Sequence, residues 1–208
     1  MEPIVLENIS KKYNGNWVLS EINHEFAKGE AIAFIGHNGC GKSTLLKIIA
    51  GLVSPTCGKV TFEGNPHFAY LPGKFPFSNL SSRSFLKRMC EIDGMPTKDI
   101  DEKIDAWGKD FFLYEMLNVP MKTLSKGTLQ KIGVIQALIK EPDILLLDEP
   151  LSGQDVDSQK IFIEKIIELK NKGVTVFMAC HEIQLVDALA DKVFTIQNGK
   201  LVSEKGAD

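Results

Sequence analysis

The sequence has few cysteines, no long apolar run and no surplus of positive charge. Its four cysteines, Cys40, Cys57, Cys90 and Cys180, are far apart and include no Cys-x-x-Cys pair, so neither a zinc site nor a disulfide framework is predicted. The longest apolar runs, such as residues 144–147 and 174–180, are far shorter than the roughly 18 residues of a membrane-spanning helix. The 27 acidic residues outnumber the 24 lysines and arginines, and no basic stripe indicates a nucleic-acid partner.

The length of 208 residues suits one domain, or one core with an inserted subdomain. Because the N-terminus lacks the basic start and apolar core of a signal peptide, we expect a soluble, cytoplasmic protein. Apolar runs predict strands at residues 4–9, 18–19, 22–26, 31–35, 58–62, 68–71, within 143–150, and at 174–179, 194–197 and 200–202. Helical spacing and loop signals predict helices at residues 43–50, 84–92, 98–108, 126–139, 156–170 and 183–190.

A glycine-rich segment separates the strand at residues 31–35 from the helix that follows. A phosphate-binding P-loop requires this context, because glycines let backbone N–H groups turn inward and a helix N-terminus attracts anions. The expected ligand is a polyphosphate, with Lys42 on its β- and γ-phosphates and the Ser43 hydroxyl on Mg²⁺. The alternative is a glycine turn that binds nothing. The predicted binding segment comprises Gly36, His37, Asn38, Gly39, Cys40, Gly41, Lys42, Ser43 and Thr44.

With this loop, the alternation of strands and helices predicts an α/β, P-loop NTPase fold with a mostly parallel sheet. Residues 1–72 and 140–208 are expected to form the core with an N-terminal antiparallel β-subdomain, and residues 73–139 an inserted helical subdomain. We expect the first helix to end at Gly51 and to bury Leu45, Leu46, Ile48, Ile49 and Leu52. Tyr13 and Trp17 fall in a predicted turn, where an aromatic ring could stack on a nucleotide base or cap the sheet edge.

Two acidic residues end the apolar strand within 143–150, and a histidine follows the strand at 174–179. Parallel strands bring such residues to the carboxyl edge of a sheet, where ligands bind in α/β folds. There Asp148 could hold Mg²⁺, Glu149 could polarise the attacking water and His181 could hydrogen-bond the γ-phosphate. The alternatives are two surface acids at a strand end and a structural histidine.

Five segments, read in order, resemble the motifs of ABC-transporter ATP-binding subunits. Residues 36–44 look like the Walker A motif, 124–128 like the signature, 145–149 like Walker B and 152–155 like the D-loop, while His181 is similar to the switch histidine. The resemblance spans nearly the whole chain. A P-loop alone would specify only a nucleotide site, but the signature just upstream of Walker B narrows the site to this family.

The resemblance implies that two subunits, most simply a homodimer, enclose two ATP molecules head to tail. Ser125 and Gly127 of one subunit would cap the γ-phosphate bound by the other. Asp155 would lie in the dimer seam, and Tyr13 would take the adenine-stacking position. ATP binding would close the dimer and hydrolysis would reopen it.

The chain departs from the family pattern at four positions. Lys126 stands where the signature usually has glycine, and Thr128 where it often has glutamine. This variant is similar to those of exporter-type subunits, so we expect activity to survive. Gln154 replaces a usually apolar residue of the D-loop. Gly73 occupies the place of a Gln or Glu that senses Mg²⁺ and the transmembrane partner, and glycine can act there only as a hinge.

The resemblance therefore predicts an ATPase that energises a separate transmembrane permease from the cytoplasmic face of the membrane, with the helical insertion as its docking surface. The short tail after Val202 and the exporter-like signature favour export. The alternatives are a non-transport ABC ATPase that acts on nucleic acid or ribosomes, and a small-molecule P-loop kinase. Strict dependence of ATP turnover on an acceptor would favour the kinase, and a permease encoded nearby would support transport. The transported substrate remains open.

Overall fold

The computed structural model describes residues 3–75 and 78–206. The strands of this part of the chain are β1 (Ile4–Tyr13), β2 (Asn16–Phe26), β3 (Ala31–Ile35), β4 (Cys57–Thr61), β5 (Phe68–Leu71), β6 (Ile144–Asp148), β7 (Thr175–Ala179), β8 (Lys192–Gln197) and β9 (Lys200–Gly206). Its α-helices are α1 (Lys42–Ile49), α2 (Ser82–Ile92), α3 (Thr97–Asp110), α4 (Lys126–Leu138), α5 (Val156–Asn171) and α6 (Ile183–Leu189). Two short 3₁₀ helices, Tyr114–Met116 and Met121–Thr123, precede α4. None of the described helices is long and apolar enough to cross a lipid bilayer.

The smaller sheet confirms the predicted antiparallel β-subdomain. Its strand order is β2-β1-β4, and β1 pairs antiparallel with both neighbours. The hairpin between β1 and β2 turns at Asn14 and Gly15, whose φ angles of 46° and 85° are both positive, as a tight primed turn requires. Pairing therefore continues to Tyr13 opposite Asn16, and Trp17 pairs with Lys12. The prediction that Tyr13 and Trp17 lie in the turn is wrong, because this turn needs only two residues.

The larger sheet has the strand order β5-β6-β7-β3-β8-β9. Strand β7 pairs parallel with β6 and β3, and β3 pairs parallel with β8, whereas β8 and β9 form an antiparallel hairpin. The prediction of a mostly parallel sheet is confirmed. Because β3, β7 and β6 are parallel neighbours, the segments that follow them all emerge at one edge of the sheet.

The described chain divides into two compact units, and the first comprises residues up to 70, 142–149 and the chain from 166 onward. Its core contains four phenylalanines from strands of both sheets, and the ring centroid of Phe26 lies 4.6–6.0 Å from those of neighbouring aromatic rings.

Helix α1 buries four apolar residues as predicted: Leu45, Leu46, Ile48 and Ile49. The prediction that Leu52 is buried is wrong, since it is 59% exposed. Gly51, with φ of 70°, ends the helical path, and Leu52 leaves the buried face.

The second unit comprises residues 71–141 and 150–165 and contains α2, α3, α4 and the first part of α5. The described parts of its interhelical core are apolar, with Leu86, Ile100, Ile104, Ile132 and Ile135 fully buried. Ion pairs link α2 to α3 at the surface: Arg83 Nη2 lies 2.5 Å from Asp105 Oδ1, and Lys87 Nζ lies 2.7 Å from Asp101 Oδ2. The helical character predicted for this part of the chain is confirmed.

Candidate functional site

The loop between β3 and α1 can be built only with glycine at two positions. Gly36 and Gly41 have φ angles of 142° and 114°, in the region that favours glycine. A Cβ atom at Gly36 would lie 2.5 Å from the carbonyl oxygen of Ile196, and one at Gly41 would lie 3.0 Å from that of Val18. Gly41 immediately precedes α1, so the loop delivers its backbone to the N-terminus of this helix. An open helix N-terminus is a site for anions.

Lys42 is only 5% exposed, and its ammonium group lies inside this loop. Nζ donates hydrogen bonds to the carbonyl oxygens of Gly36, at 2.8 Å, and of His37, at 3.2 Å. It also lies 3.0 Å from Nε2 of His181, which follows β7. All three N–H groups of the ammonium therefore have acceptors, so the charge is held at the centre of the loop.

Asp148, the last residue of β6, is only 6% exposed and is held by two hydroxyl groups. Ser43 Oγ donates to Oδ1 at 2.8 Å, and the Tyr70 hydroxyl donates to Oδ2 at 3.3 Å. Burial, and then the negative charge and hydrogen bond of Asp148, raise the pKa of Tyr70 above its ordinary value. The phenol therefore remains a donor at neutral pH. Two hard oxygen groups, Ser43 Oγ and Asp148 Oδ1, thus face each other beside the loop.

Glu149 adopts a left-handed backbone conformation with φ of 47°, which is uncommon for a residue with a long side chain. Its N–H donates to the carbonyl oxygen of Ala179 at 2.8 Å, so the contact between β6 and β7 extends to the point where the chain turns. The turn brings Glu149 Oε1 to 3.7 Å from His181 Nε2. Strained backbone of this kind is concentrated at functional sites.

Two cavities adjoin these groups. The first, of about 130 Å³, is lined by Val18, Asn38, Gly39, Gly41, Lys42, Ser43, Thr44 and Glu149. The second, of about 360 Å³, is mostly apolar and is lined by Ile35, Gly36, His37, Cys180, His181, Ile183 and Val186. Burial, together with the charge of Glu182, raises the pKa of Cys180 to about 12, so this thiol is protonated. The structure brings the predicted P-loop, acidic pair and histidine together in the first unit.

Cys40 and Tyr13, which were also predicted to bind the nucleotide, do not line the smaller cavity. Cys40 is 4% exposed and belongs to the apolar core, so its side chain does not line the smaller cavity. Tyr13 is 43% exposed at the end of β1, and Lys11 Nζ lies 5.0 Å from the centroid of its ring. One face of the Tyr13 ring is thus in contact with a cation. Stacking of Tyr13 on adenine stays a prediction.

The predicted signature residues lie in the second unit, at the start of α4. Ser125 caps this helix: its Oγ accepts a hydrogen bond from Thr128 N at 3.1 Å and lies 2.8 Å from Thr128 Oγ1. A Cβ atom at Gly127 would overlap the carbonyl oxygen of Gly153, so only glycine fits beside the segment that precedes α5. The first turn of α4 is therefore held in place, together with its backbone N–H groups that have no partner within the helix.

An ion pair joins α4 to the same segment. Lys131 Nζ lies 2.6 Å from Asp155 Oδ2, although the side chain of Lys131 is only 11% exposed. Asp155 also accepts hydrogen bonds from Ser158, from N at 2.9 Å and from Oγ at 3.1 Å. The hydrogen bond from Lys131 and then the backbone hydrogen bond from Ser158 lower the pKa of the Asp155 carboxyl well below its ordinary value. Asp155 is therefore ionised whenever the unit is folded at neutral pH.

Two residues at this site were not predicted from the sequence: Val18, which lines the smaller cavity, and Tyr70, which donates a hydrogen bond to Asp148. Val18 comes from β2, and no pattern in the sequence places that strand beside the loop. Tyr70 precedes the Leu-Pro-Gly segment, and only the order of β5 beside β6 brings it to Asp148. Cys180 lines the larger cavity next to His181, at the carboxyl edge where the end of the apolar strand predicts it.

Comparison with known proteins gives consistent matches over nearly the whole chain. A family model described as "ABC transporter" matches residues 19–152, more than half of the chain. The uncharacterized ABC transporter ATP-binding protein MJ1023 of Methanocaldococcus jannaschii is 36% identical over 204 residues, which cover 97% of this chain and 77% of that protein. The O-antigen export system ATP-binding protein RfbB of Klebsiella pneumoniae is 35% identical over 184 residues, which cover 88% of this chain and 74% of that protein.

The fold also matches a solved structure. The ATP-binding cassette MJ0796, in a dimeric post-hydrolysis state bound to ADP and Pi, superimposes with a TM-score of 0.91. The match covers 99% of both chains at 21% sequence identity. At this identity the similarity establishes the fold of the chain.

Proposed function

The chain belongs to the ABC transporter family, and we propose that it is the ATP-hydrolysing subunit that energises a separate membrane permease. The observation that carries this proposal is the convergence of five polar side chains in the first unit: Lys42, Ser43, Asp148, Glu149 and His181. They come from α1 and from the ends of β6 and β7, so the parallel sheet assembles them. ATP hydrolysis needs a cation for the phosphates, metal ligands and a base for water, and this group supplies each.

Binding of the polyphosphate would rest on the loop formed by residues 36–44. Its backbone N–H groups and the N-terminus of α1 favour negative charge, and Lys42 adds a buried positive charge. Lys42 would exchange its contacts with the Gly36 and His37 carbonyl oxygens for phosphate oxygens. Tyr13 would stack on the adenine with the face of its ring that Lys11 leaves free.

Ser43 and Asp148 would hold Mg²⁺. Hydroxyl and carboxylate oxygens are the ligands that this ion prefers, and Mg²⁺ takes few ligands from the protein and the rest from phosphates and water. The described residues contain no cluster of three or more His, Cys, Asp or Glu side chains that could hold a metal by themselves. When bound, the ion neutralises negative charge on the β- and γ-phosphates.

Glu149 would act as the base. Water attacks the γ-phosphorus, and its proton passes to the Glu149 carboxylate. The bond between that phosphorus and the β–γ bridging oxygen breaks, so the products are ADP and phosphate. Its strained backbone aims the carboxylate toward the site. His181 would donate a hydrogen bond to the γ-phosphate. These roles are supported by the distances around His181, whose Nε2 lies 3.0 Å from Lys42 Nζ and 3.7 Å from Glu149 Oε1.

The working form would be a homodimer closed by ATP. Ser125 and Gly127 of one copy would face the γ-phosphate of the other, because the first turn of α4 presents a hydroxyl and backbone N–H groups. Asp155 would lie near the seam. A dimer bound to ADP and Pi is described for the fold relative MJ0796, which supports this arrangement.

We further propose that the chain acts with a permease at the cytoplasmic face of the membrane, and that the transport is export. Support for export comes from the exporter-like signature with Lys126 and from the relative named as an O-antigen export ATP-binding protein. Docking of a permease on the helical insertion would couple its movement to closure of the dimer. Stimulation of ATP turnover by a membrane protein encoded alongside would support this part, and unchanged turnover would argue against it.

ATP turnover by the Lys42→Ala variant tests the central proposal. We expect a loss of at least 100-fold in kcat/KM, since the variant lacks the buried cation of the loop. Lys47→Ala is the matched control, because Lys47 lies on the same helix but does not line the cavity. Near-wild-type hydrolysis by Lys42→Ala would overturn the assignment of the site.

Light scattering on the Glu149→Gln variant tests the dimer. Mass should double with MgATP and not with MgADP, since the variant binds ATP but lacks the base that allows reopening. A monomer in the presence of bound ATP would exclude self-pairing and leave the nucleotide site intact.

A further inference from the structure

We propose that Tyr70 is a positioning residue that orients the carboxylate of Asp148 for the metal. This inference rests on the proposed function, in which Asp148 holds Mg²⁺. The two carboxylate oxygens have different hydroxyl partners: Ser43 Oγ lies 2.8 Å from Oδ1, and Tyr70 Oη lies 3.3 Å from Oδ2. Ser43 is a candidate metal ligand, whereas Tyr70 is not.

The place of Tyr70 follows from the sheet. Strand β5 lies beside β6 at the end of the six-stranded sheet, and Tyr70 is the third of its four residues. Ala69 and Leu71 are buried on one face of the strand, whereas Tyr70 packs on the hydrophobic core of the first unit as a partly buried member. The ring is therefore held by packing, and its hydroxyl reaches the last residue of the neighbouring strand.

The consequence concerns rotation of the carboxylate. The terminal torsion of an aspartate is broad and nearly two-fold, so packing alone does not decide which oxygen faces Ser43. A donor fixed on Oδ2 restricts that rotation and keeps Oδ1 toward the Ser43 hydroxyl. Groups that orient a ligand in this way typically change metal affinity by one to two orders of magnitude when they are removed.

Tyr70→Phe removes only the hydroxyl and keeps the ring in the core. The measurement is calorimetric binding of β,γ-imido-ATP, which is not hydrolysed, over a range of Mg²⁺ concentrations and with EDTA. We expect the Mg²⁺ concentration for half-maximal stimulation of binding to rise roughly tenfold. Affinity in EDTA should stay within twofold of wild type, because the loop that binds the phosphates is unchanged. Tyr114→Phe is the matched control, since Tyr114 lies exposed in the second unit.

A double-mutant cycle separates positioning from packing. If Tyr70 acts through Asp148, Tyr70→Phe should have no further effect on Mg²⁺ dependence in an Asp148→Asn background. Equal effects in both backgrounds, or a Mg²⁺ requirement of Tyr70→Phe within twofold of wild type, would overturn the proposal. Failure of the proposed function itself would look different: Lys42→Ala would then bind the analogue as well as wild type.

Discussion

Nζ of Lys42 lies 3.0 Å from Nε2 of His181. Because an ammonium group only donates hydrogen bonds, Nε2 of His181 is the acceptor in this contact. Donation from Nε2 to a γ-phosphate requires a proton on that same nitrogen. In the proposed site, the contact between Lys42 and His181 would therefore have to break when ATP binds.

His181→Ala should separate turnover from binding. We expect kcat to fall about 100-fold, the typical effect of losing one donor to the transferred phosphoryl group. The dissociation constant of ATP should change less than threefold, since Lys42 and the loop of the proposed site would still hold the phosphates. Steady-state kinetics and equilibrium binding measure the two quantities. His67→Ala is the control, because the side chain of His67 is exposed; a variant at position 181 with kcat within threefold of wild type would contradict the role.

Thiol labelling should distinguish Cys57 from the other cysteines. Cys57 is exposed, whereas Cys40, Cys90 and Cys180 are buried. The thiolate is the reactive form, and burial raises the pKa of Cys180 to about 12. At pH 8 we expect one thiol of the folded protein to react quickly with Ellman's reagent, and Cys57→Ser should abolish this phase. Two or more fast thiols in wild type would contradict the burial of the remaining cysteines.

Slow labelling of Cys40 has a different consequence. Its thiol lies in the core directly beside Gly36, so modification should displace the loop that is proposed to bind the phosphates. We expect complete labelling of Cys40 in a Cys57→Ser background to abolish nucleotide binding, and MgATP to slow the labelling at least tenfold. Mass spectrometry locates the label. Undiminished binding after complete modification of Cys40 would contradict this view.

The main features of the site could be predicted because they follow from local patterns. A glycine-rich loop between an apolar strand and a helix specifies a P-loop, and parallel strands end at one edge, so Lys42, Asp148, Glu149 and His181 could be grouped without coordinates. Leu52 shows the limit of helical periodicity: it has the right spacing, but α1 ends at Ile49 and the chain turns at Gly51, whose φ is positive.

The support around the site could not be predicted, because it depends on which strands and segments are neighbours. Tyr70 reaches Asp148 only because β5 and β6 are adjacent strands, although the two residues are 78 positions apart in the sequence. Lys131 appears in the sequence as one lysine of a helix. Only the structure shows it to be buried and paired with Asp155.

Asp155 should stabilise the second unit in two separable ways. Asp155→Asn keeps an acceptor for Ser158 but loses the charge that pairs with Lys131, and we expect it to cost about 1 kcal/mol. Asp155→Ala also loses the acceptor and should cost about 1 kcal/mol more. Urea unfolding at pH 7 measures both. Lys160→Ala, which removes an exposed ion pair with Asp157, is the control and should change stability by less than about 0.5 kcal/mol.

The same pair predicts a pH dependence. The pKa of the Asp155 carboxyl is lower in the folded protein than its unfolded value of about 3.9. Its contribution is therefore fully present above that unfolded value and is lost as the pH falls through the folded one. The difference in unfolding free energy between wild type and Asp155→Asn should be constant from pH 7 to 5 and shrink below about pH 4. A difference that grows in acid would contradict the assigned direction.

Gly127→Ala should destabilise the second unit although alanine is the better helix former. Gly127 lies in the first turn of α4, where replacing glycine by alanine normally gains up to about 1 kcal/mol. Here the added Cβ would overlap the Gly153 carbonyl oxygen, and backbone cannot move aside as a flexible side chain can. We expect a net loss of about 1–2 kcal/mol in urea unfolding. Lys126→Ala, at the exposed neighbouring position, should change stability by less than about 0.5 kcal/mol.

ATP affinity of the Gly127→Ala monomer should remain within threefold of wild type, because the loop of residues 36–44, which is proposed to hold the phosphates, lies in the other unit. ATP-dependent doubling of mass in a Glu149→Gln background should nevertheless be lost, since the displaced helix N-terminus no longer presents Ser125 correctly. Retained doubling together with unchanged stability would show that the contact between Gly127 and Gly153 does not constrain the signature.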